Sequence, residues 1–269
     1  MLYKKRRSVG NLLLAFVLPL AALAQSTSFT TASAGNWSAF VAPNSIAAGF
    51  GVNIATTTTV AASLPLSTTL GGVSVTVTDS AGVTAQAPLY MVSTGQVNFL
   101  VPAKAALGKA TVGVSGGPNT GTGSIEISNV APAIFSANSN GEGVAAGQTI
   151  TVTPSGQITT AMIYEPVTKP FSSFGYEPIS VSLSPTANSV YLVLYGTGIR
   201  NHSANPVMAT INGVNVPVLY AAAQPTQPGL DQINLGPLPQ TLSGTGKPNL
   251  NIVVFVDGIP TNTTTISIQ

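Results

Sequence analysis

The chain has 269 residues, of which only 6% are charged, and it contains no cysteine. Without cysteine, disulfides, thiolate metal sites, a cysteine nucleophile and a thiol-linked lipid anchor are all excluded. The formal net charge is +2, but four of the nine basic residues lie together at positions 4–7. The rest of the chain has more acidic than basic residues, so neither nucleic acid nor an anionic membrane surface is predicted as a partner.

The first 24 residues have the organisation of a signal peptide. After the basic cluster comes an apolar run over residues 12–23, which is interrupted by Pro19 and is too short to span a bilayer comfortably. The tripeptide Ala22-Leu23-Ala24 then fits a small-x-small cleavage signal. We therefore predict a cleaved signal peptide over residues 1–24, a secreted or cell-surface product, and no membrane insertion after cleavage. A retained membrane anchor is the alternative.

A flexible lead-in is predicted over residues 25–39, followed by a first β module over residues 40–137. Within this module Val73, Val75 and Val77 alternate with polar residues, which is the pattern of a half-buried strand. A turn over residues 79–82 follows, so a β-hairpin is predicted. Short strands separated by Gly and Pro, at intervals of about ten residues, indicate a β-sandwich.

A second β module is predicted over residues 138–269. It opens with a hairpin around Pro154-Ser155-Gly156 and a loop rich in proline and aromatic residues over residues 164–180. The run over residues 190–195 is apolar on both faces, which is typical of a central buried strand. The predicted fold class is all-β, with two tandem immunoglobulin-like β-sandwich domains after an N-terminal signal peptide.

The two modules share an internal repeat. Residues 69–75 (TLGGVSV) are similar to residues 210–216 (TINGVNV), and residues 95–99 (GQVNF) are similar to residues 231–235 (DQINL). Gly49-Phe50-Gly51 is likewise similar to Gly196-Thr197-Gly198. One constant separation relates Gly72 to Gly213, Val112 to Val253, and Val114 to Phe255. The repeated positions are predicted to build strands and turns, and they are Gly72, Gln96, Asn98, Gly196, Gly198, Gly213, Gln232, Asn234 and Gly258.

Longer motifs extend this repeat. They are the segments 90–102 and 131–135 in the first module, and the segments 192–200, 216–221 and 229–234 in the second. These motifs resemble a repeated domain of exported acidobacterial proteins, the Solibacter uncharacterised C-terminal domain, over about residues 40–269. The resemblance implies immunoglobulin-like modules of the IPT/TIG type and carries no activity that could be transferred. The first module has Gly95 where the second has Asp231, so a role for the aspartate does not extend to both copies.

Reactive side chains are scarce. Glu165 and Glu177 bracket the aromatic loop and could meet in space, as the two carboxylates of a glycosidase must. We interpret them instead as solvated loop acids. His202 is the only histidine, and no nucleophile-elbow sequence accompanies it. No catalytic residue, metal site or cofactor is predicted, although a loop site for calcium is left open.

The candidate binding residues are four aromatic side chains and one acid. Tyr164, Phe171, Phe174 and Tyr176 either pack against a domain as an ordered loop or form an exposed surface for sugar rings. Asp231 is the most informative acid. Its side chain is expected to bind backbone amides at the entry to a strand, with Asn98 and Asn234 in similar roles.

Three functions are compatible with these observations. The first is a secreted, non-catalytic adhesion or interaction module whose partner is an unidentified extracellular protein or glycan. The second is a carbohydrate-binding or carbohydrate-active accessory protein that uses the aromatic loop. The third is a structural subunit that assembles by strand exchange, with the segment ahead of Phe40 as the donated strand. The oligomeric state is left open.

Overall fold

The computed structural model describes residues 26–167, 175–244 and 249–269. Within these ranges nearly all regular structure is β-strand, apart from one short 3-10 turn at Gln240–Leu242. The strands form two sandwiches, each of which has its own hydrophobic core. The predicted fold class of two tandem immunoglobulin-like β-sandwiches is confirmed.

The first sandwich is built from two facing sheets. Its strands are β1 (Ser26–Ser28), β2 (Thr30–Ser33), β3 (Phe40–Val41), β4 (Ile46–Phe50), β5 (Thr59–Val60) and β6 (Thr69–Leu70). They continue with β7 (Val73–Thr78), β8 (Thr84–Ala87), β9 (Leu89–Val92), β10 (Gln96–Leu100), β11 (Gly108–Ser115) and β12 (Thr120–Ile127). One sheet has the order β1-β12-β11-β7-β6, with β3 beside β12 and β8 beside β7. The other has the order β2-β4-β10-β9-β5.

The alternating pattern of the sequence explains the first core. Val73, Val75 and Val77 of β7 are buried, whereas the polar residues between them are only partly covered. Phe99 and Leu89 enter the same core from the opposite sheet. Because side chains alternate between the two faces of a strand, each sheet presents one apolar face to the other.

The flexible lead-in predicted for residues 25–39 is wrong for residues 26–33. Strand β1 pairs in parallel with β12, and β2 pairs antiparallel with β4. Phe29, between them, is 6% exposed and lies in the core. A side chain at Gly49 would collide with the Phe29 ring, so the glycine makes room for it. The segment considered as a donated strand therefore completes the sandwich of its own chain.

The second sandwich has the same layered plan. Its strands are β13 (Ala133–Ile134), β14 (Gly147–Val152), β15 (Ile158–Met162), β16 (Tyr164–Pro166), β17 (Tyr176–Pro178), β18 (Ser180–Val181) and β19 (Ser189–Thr197). They continue with β20 (Met208–Ile211), β21 (Val214–Val216), β22 (Val218–Ala223), β23 (Asp231–Leu235), β24 (Leu250–Val256), β25 (Ile259–Pro260) and β26 (Thr264–Ile268). The sheets have the orders β15-β14-β19-β23-β22, with β13 beside β19, and β18-β26-β24-β20-β21, with β25 beside β24. Strands β16 and β17 form a separate hairpin.

The boundary between the sandwiches falls earlier than the predicted change at residues 137–138. Strand β12 of the first sandwich ends at Ile127, and Val130 already belongs to the second core. Ala133 and Ile134 pair with β19. Gly196 and Gly198 were predicted to build strands and turns. Their main role is instead to let the segment around Ala133 pass close to β19. A side chain at either glycine would collide with the backbone of that segment.

The strand pairings show that the two copies do not correspond at one constant separation. Ala110 pairs with Ile125 in the first sandwich, and Leu250 pairs with Ile266 in the second. Leu250 and the alternate residues after it therefore face the core, whereas Val253 and Phe255 lie on the opposite face. A shift of one residue exchanges the two faces of a strand. The predicted matches of Val112 with Val253 and of Val114 with Phe255 are therefore wrong.

The match of Gly72 with Gly213 is also wrong as a structural equivalence. Strand β7, which follows Gly72, pairs with β11, whereas β20, which precedes Gly213, pairs with β24. The turn at Asn212-Gly213 therefore corresponds to the turn over residues 79–82. Both Asn212 and Gly213 have positive φ, at 50° and 81°, as a tight hairpin turn requires.

Candidate functional site

Asp231 is a structural residue at the junction between the sandwiches. Its carboxylate is fully buried and accepts hydrogen bonds from the backbone amides of Ile199 at 2.7 Å and Arg200 at 3.3 Å. The Arg200 Nε atom donates to the other carboxylate oxygen at 2.6 Å. Burial raises the pKa of Asp231, while these amides and the guanidinium oppose that rise. The backbone contacts match the expectation from sequence, but a ligand-binding role is wrong because the carboxylate is inaccessible.

Thr197 and Asn201, on either side of this ion pair, connect the two sandwiches. The Thr197 hydroxyl accepts a hydrogen bond from the Ile46 amide at 2.8 Å and donates to the Gly229 carbonyl at 2.8 Å. Asn201 Nδ2 donates to the Pro43 carbonyl at 2.9 Å. Asp231 and Arg200 thus hold the loop from which the second sandwich contacts the first.

Tyr90 adds a further link across the junction. Its hydroxyl donates a hydrogen bond to the carbonyl oxygen of Pro228. Burial raises the pKa of Tyr90, although the charge of Arg200 acts in the opposite direction. The phenol therefore stays protonated as a donor at neutral pH.

A groove lies along one side of this junction, and we call it the junction groove. It consists of two adjoining cavities of about 300 and 370 Å³ that share Phe135, Ser136 and Ser139. None of the described residues that line it is charged. Six aromatic side chains take part in its walls, namely Trp37, Tyr90, Phe135, Tyr164, Tyr176 and Tyr195.

The first sandwich contributes an amide pair to the junction groove. Gln96 and Asn98 both line it, and Gln96 Nε2 donates to Asn98 Oδ1 at 2.8 Å. The repeated residues Gln232 and Asn234 make the same bond at 2.9 Å, but they lie outside the groove. The asparagines were expected to bind backbone, and their side-chain partner corrects that expectation. The side-chain carbonyl oxygen of Gln96 and the side-chain amino group of Asn98 are the atoms with which a ligand could form hydrogen bonds.

Trp37 lines the same cavity of the junction groove as this amide pair. It is 40% exposed, and its backbone has a φ of 61°, which is unusual for a bulky side chain. The indole packs edge-on against Phe50, with ring centroids 5.5 Å apart. Backbone strain of this kind is often found where a side chain is presented for binding.

The second sandwich contributes the hairpin of β16 and β17. Tyr164 and Tyr176 pack edge to face, with ring centroids 5.2 Å apart and an interplanar angle of 87°. Tyr164 is partly buried against the second core, which raises its pKa, whereas Tyr176 is 41% exposed. Asn138 fixes the Tyr176 backbone by bonds to its amide at 2.7 Å and its carbonyl at 3.1 Å. Phe171 and Phe174 lie outside the described residues.

The acids that were considered for catalysis face away from the junction groove. Glu165 and Glu177 are directly opposite each other in the hairpin, as their positions in sequence suggested. Side chains alternate along a strand, so this pair lies on the face opposite Tyr164 and Tyr176. Neither glutamate lines the groove.

His202 is engaged by the backbone. Its Nδ1 is 2.6 Å from the Ser203 carbonyl, and its Nε2 is 3.0 Å from the Ala221 carbonyl. Neither ring nitrogen is paired with a serine hydroxyl or a carboxylate, as a hydrolase triad would need. Among the described residues, no three His, Cys, Asp or Glu side chains gather as metal ligands. The same residues include no helix with the length and apolar character needed to span a membrane.

Sequence reasoning missed four of the six groove aromatics. Trp37, Tyr90, Phe135 and Tyr195 belong to four separate parts of the chain, and only the packing of the sandwiches brings them together. Tyr195 gave the one available signal, because it ends a run that is apolar on both faces, and an aromatic residue on the outer face of a central strand suggests that this face is covered. Its hydroxyl accepts a bond from Gln148 Nε2 at 3.3 Å.

No family model matches the chain, and no curated protein matches it. Solved structures similar to it include the full extracellular region of plexin A4, with 10% identity, a TM-score of 0.23, and coverage of 95% of this chain and 17% of the plexin chain. A tetra-tandem repeat from the extending region of a large adhesion protein has 13% identity, a TM-score of 0.23, and coverage of 91% and 74%. The I9–I11 tandem of titin has 8% identity, a TM-score of 0.18, and coverage of 85% and 95%. With such low scores, these similarities do not bear on a ligand.

Proposed function

We propose that this chain is an exported, non-catalytic recognition protein of the extracellular space or cell surface, related to the acidobacterial domain family that its motifs resemble. Its ligand in this proposal is a neutral glycan bound in the junction groove. The observation that carries the proposal is an uncharged groove with six aromatic side chains at a hydrogen-bonded junction. Binding sites for small molecules are typically concave and mostly apolar, with a few placed polar groups.

The chemistry of the junction groove suits a sugar better than a charged ligand. Aromatic rings offer flat apolar surfaces to the C–H faces of pyranose rings, and Tyr176 presents such a surface to solvent. Gln96 and Asn98 offer an acceptor and a donor side by side, which is what adjacent sugar hydroxyls require. A phosphate or carboxylate ligand would find no cation among the described lining residues.

The position of the acids favours binding over hydrolysis. A glycosidase needs two carboxylates on either side of the bond that it cleaves. Glu165 and Glu177 share the face of their hairpin that points away from the groove aromatics. A sugar stacked on Tyr176 would therefore not reach them.

The internal repeat supplies a matched control for a binding test. Wild-type protein would be titrated with neutral oligosaccharides of several linkages by calorimetry, after selection on a glycan array. We expect Gln96→Ala and Tyr176→Ala to weaken binding about fivefold each, because each removes a contact of about 1 kcal/mol. Gln232→Ala, which removes the same bond outside the groove, and Tyr220→Ala, on an exposed tyrosine elsewhere, should bind as wild type. No binding of any neutral glycan, or equal loss in the controls, would refute the proposal.

A further inference from the structure

Strand β15 is an unusually open edge of the second sandwich. All five of its residues are exposed, and it forms the end of the sheet β15-β14-β19-β23-β22. It pairs with β14 alone, and in the described part of the chain no strand lies along its other side. Its backbone is therefore available for pairing with another strand.

The hydrogen bonds of the β14–β15 hairpin show which backbone groups point outward. Thr153 N donates to Gln157 O at 2.9 Å, and Ile163 N donates to Gly147 O at 3.4 Å. Hydrogen-bonded pairs alternate along an antiparallel ladder, so residues 159 and 161 bond to β14. The N–H and C=O groups of residues 158, 160 and 162 then point away from the sheet.

The other end strands of the two sheets in this sandwich, β18, β21 and β22, carry features that discourage pairing, whereas β15 does not. Strand β22 has a bulge between Val218 and Tyr220, and β21 is followed directly by Pro217. Strand β18 has only two residues. Charged residues, prolines, bulges and short length are the usual protections of sheet edges. The segment 147–164 contains no charged residue, and its only proline lies at the hairpin tip.

We propose that β15 pairs antiparallel with β15 of a second copy of this chain, about a two-fold axis at Thr160. In that register Thr160 faces Thr160 of the second copy as a hydrogen-bonded pair, because its backbone groups point outward. Ile158, which is 66% exposed, then lies beside Met162 of the second copy, which is 46% exposed in the single chain. The strand is thus complementary to itself in both backbone pattern and apolar side chains, and no like charges meet.

A proline substitution tests the backbone pairing. Thr160→Pro removes an N–H that makes no bond to β14, so the fold should persist; in the dimer the N–H groups of the two copies donate the two symmetric bonds of the Thr160 pair, and both bonds are lost. Sedimentation velocity at concentrations up to several hundred micromolar should show a dimer for wild type and for Thr160→Val, which keeps the N–H. The proline variant should dissociate at least about tenfold more readily. A monomeric wild type, or a dimer that is indifferent to Thr160→Pro, would overturn the proposal.

A cysteine substitution tests the register and does not depend on the folding of the proline variant. Paired Cα atoms at a hydrogen-bonded position are about 5.5 Å apart, which is within disulfide range. Because the chain has no cysteine, Thr160→Cys introduces a single thiol. Under mild oxidation it should form covalent dimers much faster than Thr111→Cys, an exposed position on the internal strand β11. Equal rates for the two variants would overturn the proposed register.

Discussion

The two copies of the Gln-x-Asn motif make the same hydrogen bond but differ in the residue before it. In the first copy Gly95 is exposed and contributes only its backbone, whose carbonyl accepts a bond from Gly51 N at 3.2 Å. In the second copy Asp231 is buried and holds the loop of Ile199 and Arg200. The residue before the motif therefore holds the loop that contacts the other sandwich in only one of the two copies, whereas the motif itself builds a strand in both.

The largest loss of stability is expected when the Asp231 carboxylate is removed. Asp231→Ala would leave the Arg200 guanidinium, which is 17% exposed, without its carboxylate partner and with only the Leu230 carbonyl as acceptor, and it would leave two amides without an acceptor. We expect a loss of about 3–5 kcal/mol in the free energy of unfolding, as for other broken buried ion pairs. Urea unfolding measures it. Gly95→Ala is the control and should change stability by less than about 0.5 kcal/mol. Similar losses of stability in both variants would contradict the conclusion that Asp231, but not Gly95, holds a loop through its side chain.

A second comparison concerns the strands that pair with these motifs. By register, Gly49 faces Val97 in the first sandwich, whereas Leu194 faces Ile233 in the second. Gly49→Ala should cost about 1–3 kcal/mol, because the new methyl group would collide with Phe29.

A double-mutant cycle in urea with Phe29→Leu checks the cause, since the smaller side chain should recover part of the loss. If the stability losses of Gly49→Ala and Phe29→Leu simply add in the double variant, contact with Phe29 does not explain why position 49 needs a glycine.

The amide pairs themselves should be equivalent for stability and different for binding. Gln96→Ala and Gln232→Ala each remove one partly buried hydrogen bond, so each should lower stability by about 0.5–1.5 kcal/mol. Thermal unfolding of the two variants provides the measurement. A much larger loss for one of them would mean that the repeated bonds are not equivalent.

The smallest effect is a pH dependence confined to one of two corresponding turns. Asp79 accepts bonds from the amides of Ala106, Val83 and Ala81, which lower its pKa, whereas the matching turn has Asn212-Gly213. A lowered folded-state pKa means that this stabilisation is present above the ordinary aspartate value, about 4, and is lost as pH falls through the lowered value.

The protection factor of the Ala106 amide, which is its exchange rate relative to the intrinsic rate at the same pH, should therefore fall in acid more than that of Asn212, whose amide donates to the Asn251 carbonyl. Asp79→Asn should abolish this difference in acid response between the Ala106 and Asn212 amides. Equal acid sensitivity in both turns would contradict the role of the carboxylate.

Local patterns made the strand frame predictable, and they also account for the errors. Alternation located β7, and the repeated Gln-x-Asn motif located β10 and β23 at matching central positions. The lead-in was mistaken for a flexible segment because residues 26–33 are mostly Ser and Thr, and only Phe29 signals burial. The false match of Val112 with Val253 arose because identical residues can stand on opposite faces when the register differs by one. The predicted signal peptide lies outside the described residues and stays a prediction.

The all-β class, the repeated motifs and the turns could be read from the amino-acid sequence alone, because they depend on residues that are close along the chain. The junction groove, the ion pair of Asp231 with Arg200 and the open edge of β15 exist only in the folded chain. Trp37, Tyr90 and Tyr195 are far apart in sequence, and they line one groove because the two sandwiches pack against each other. The periodicity of a strand specifies which of its faces is apolar, whereas the packing of the whole chain selects the strands and loops that lie beside it.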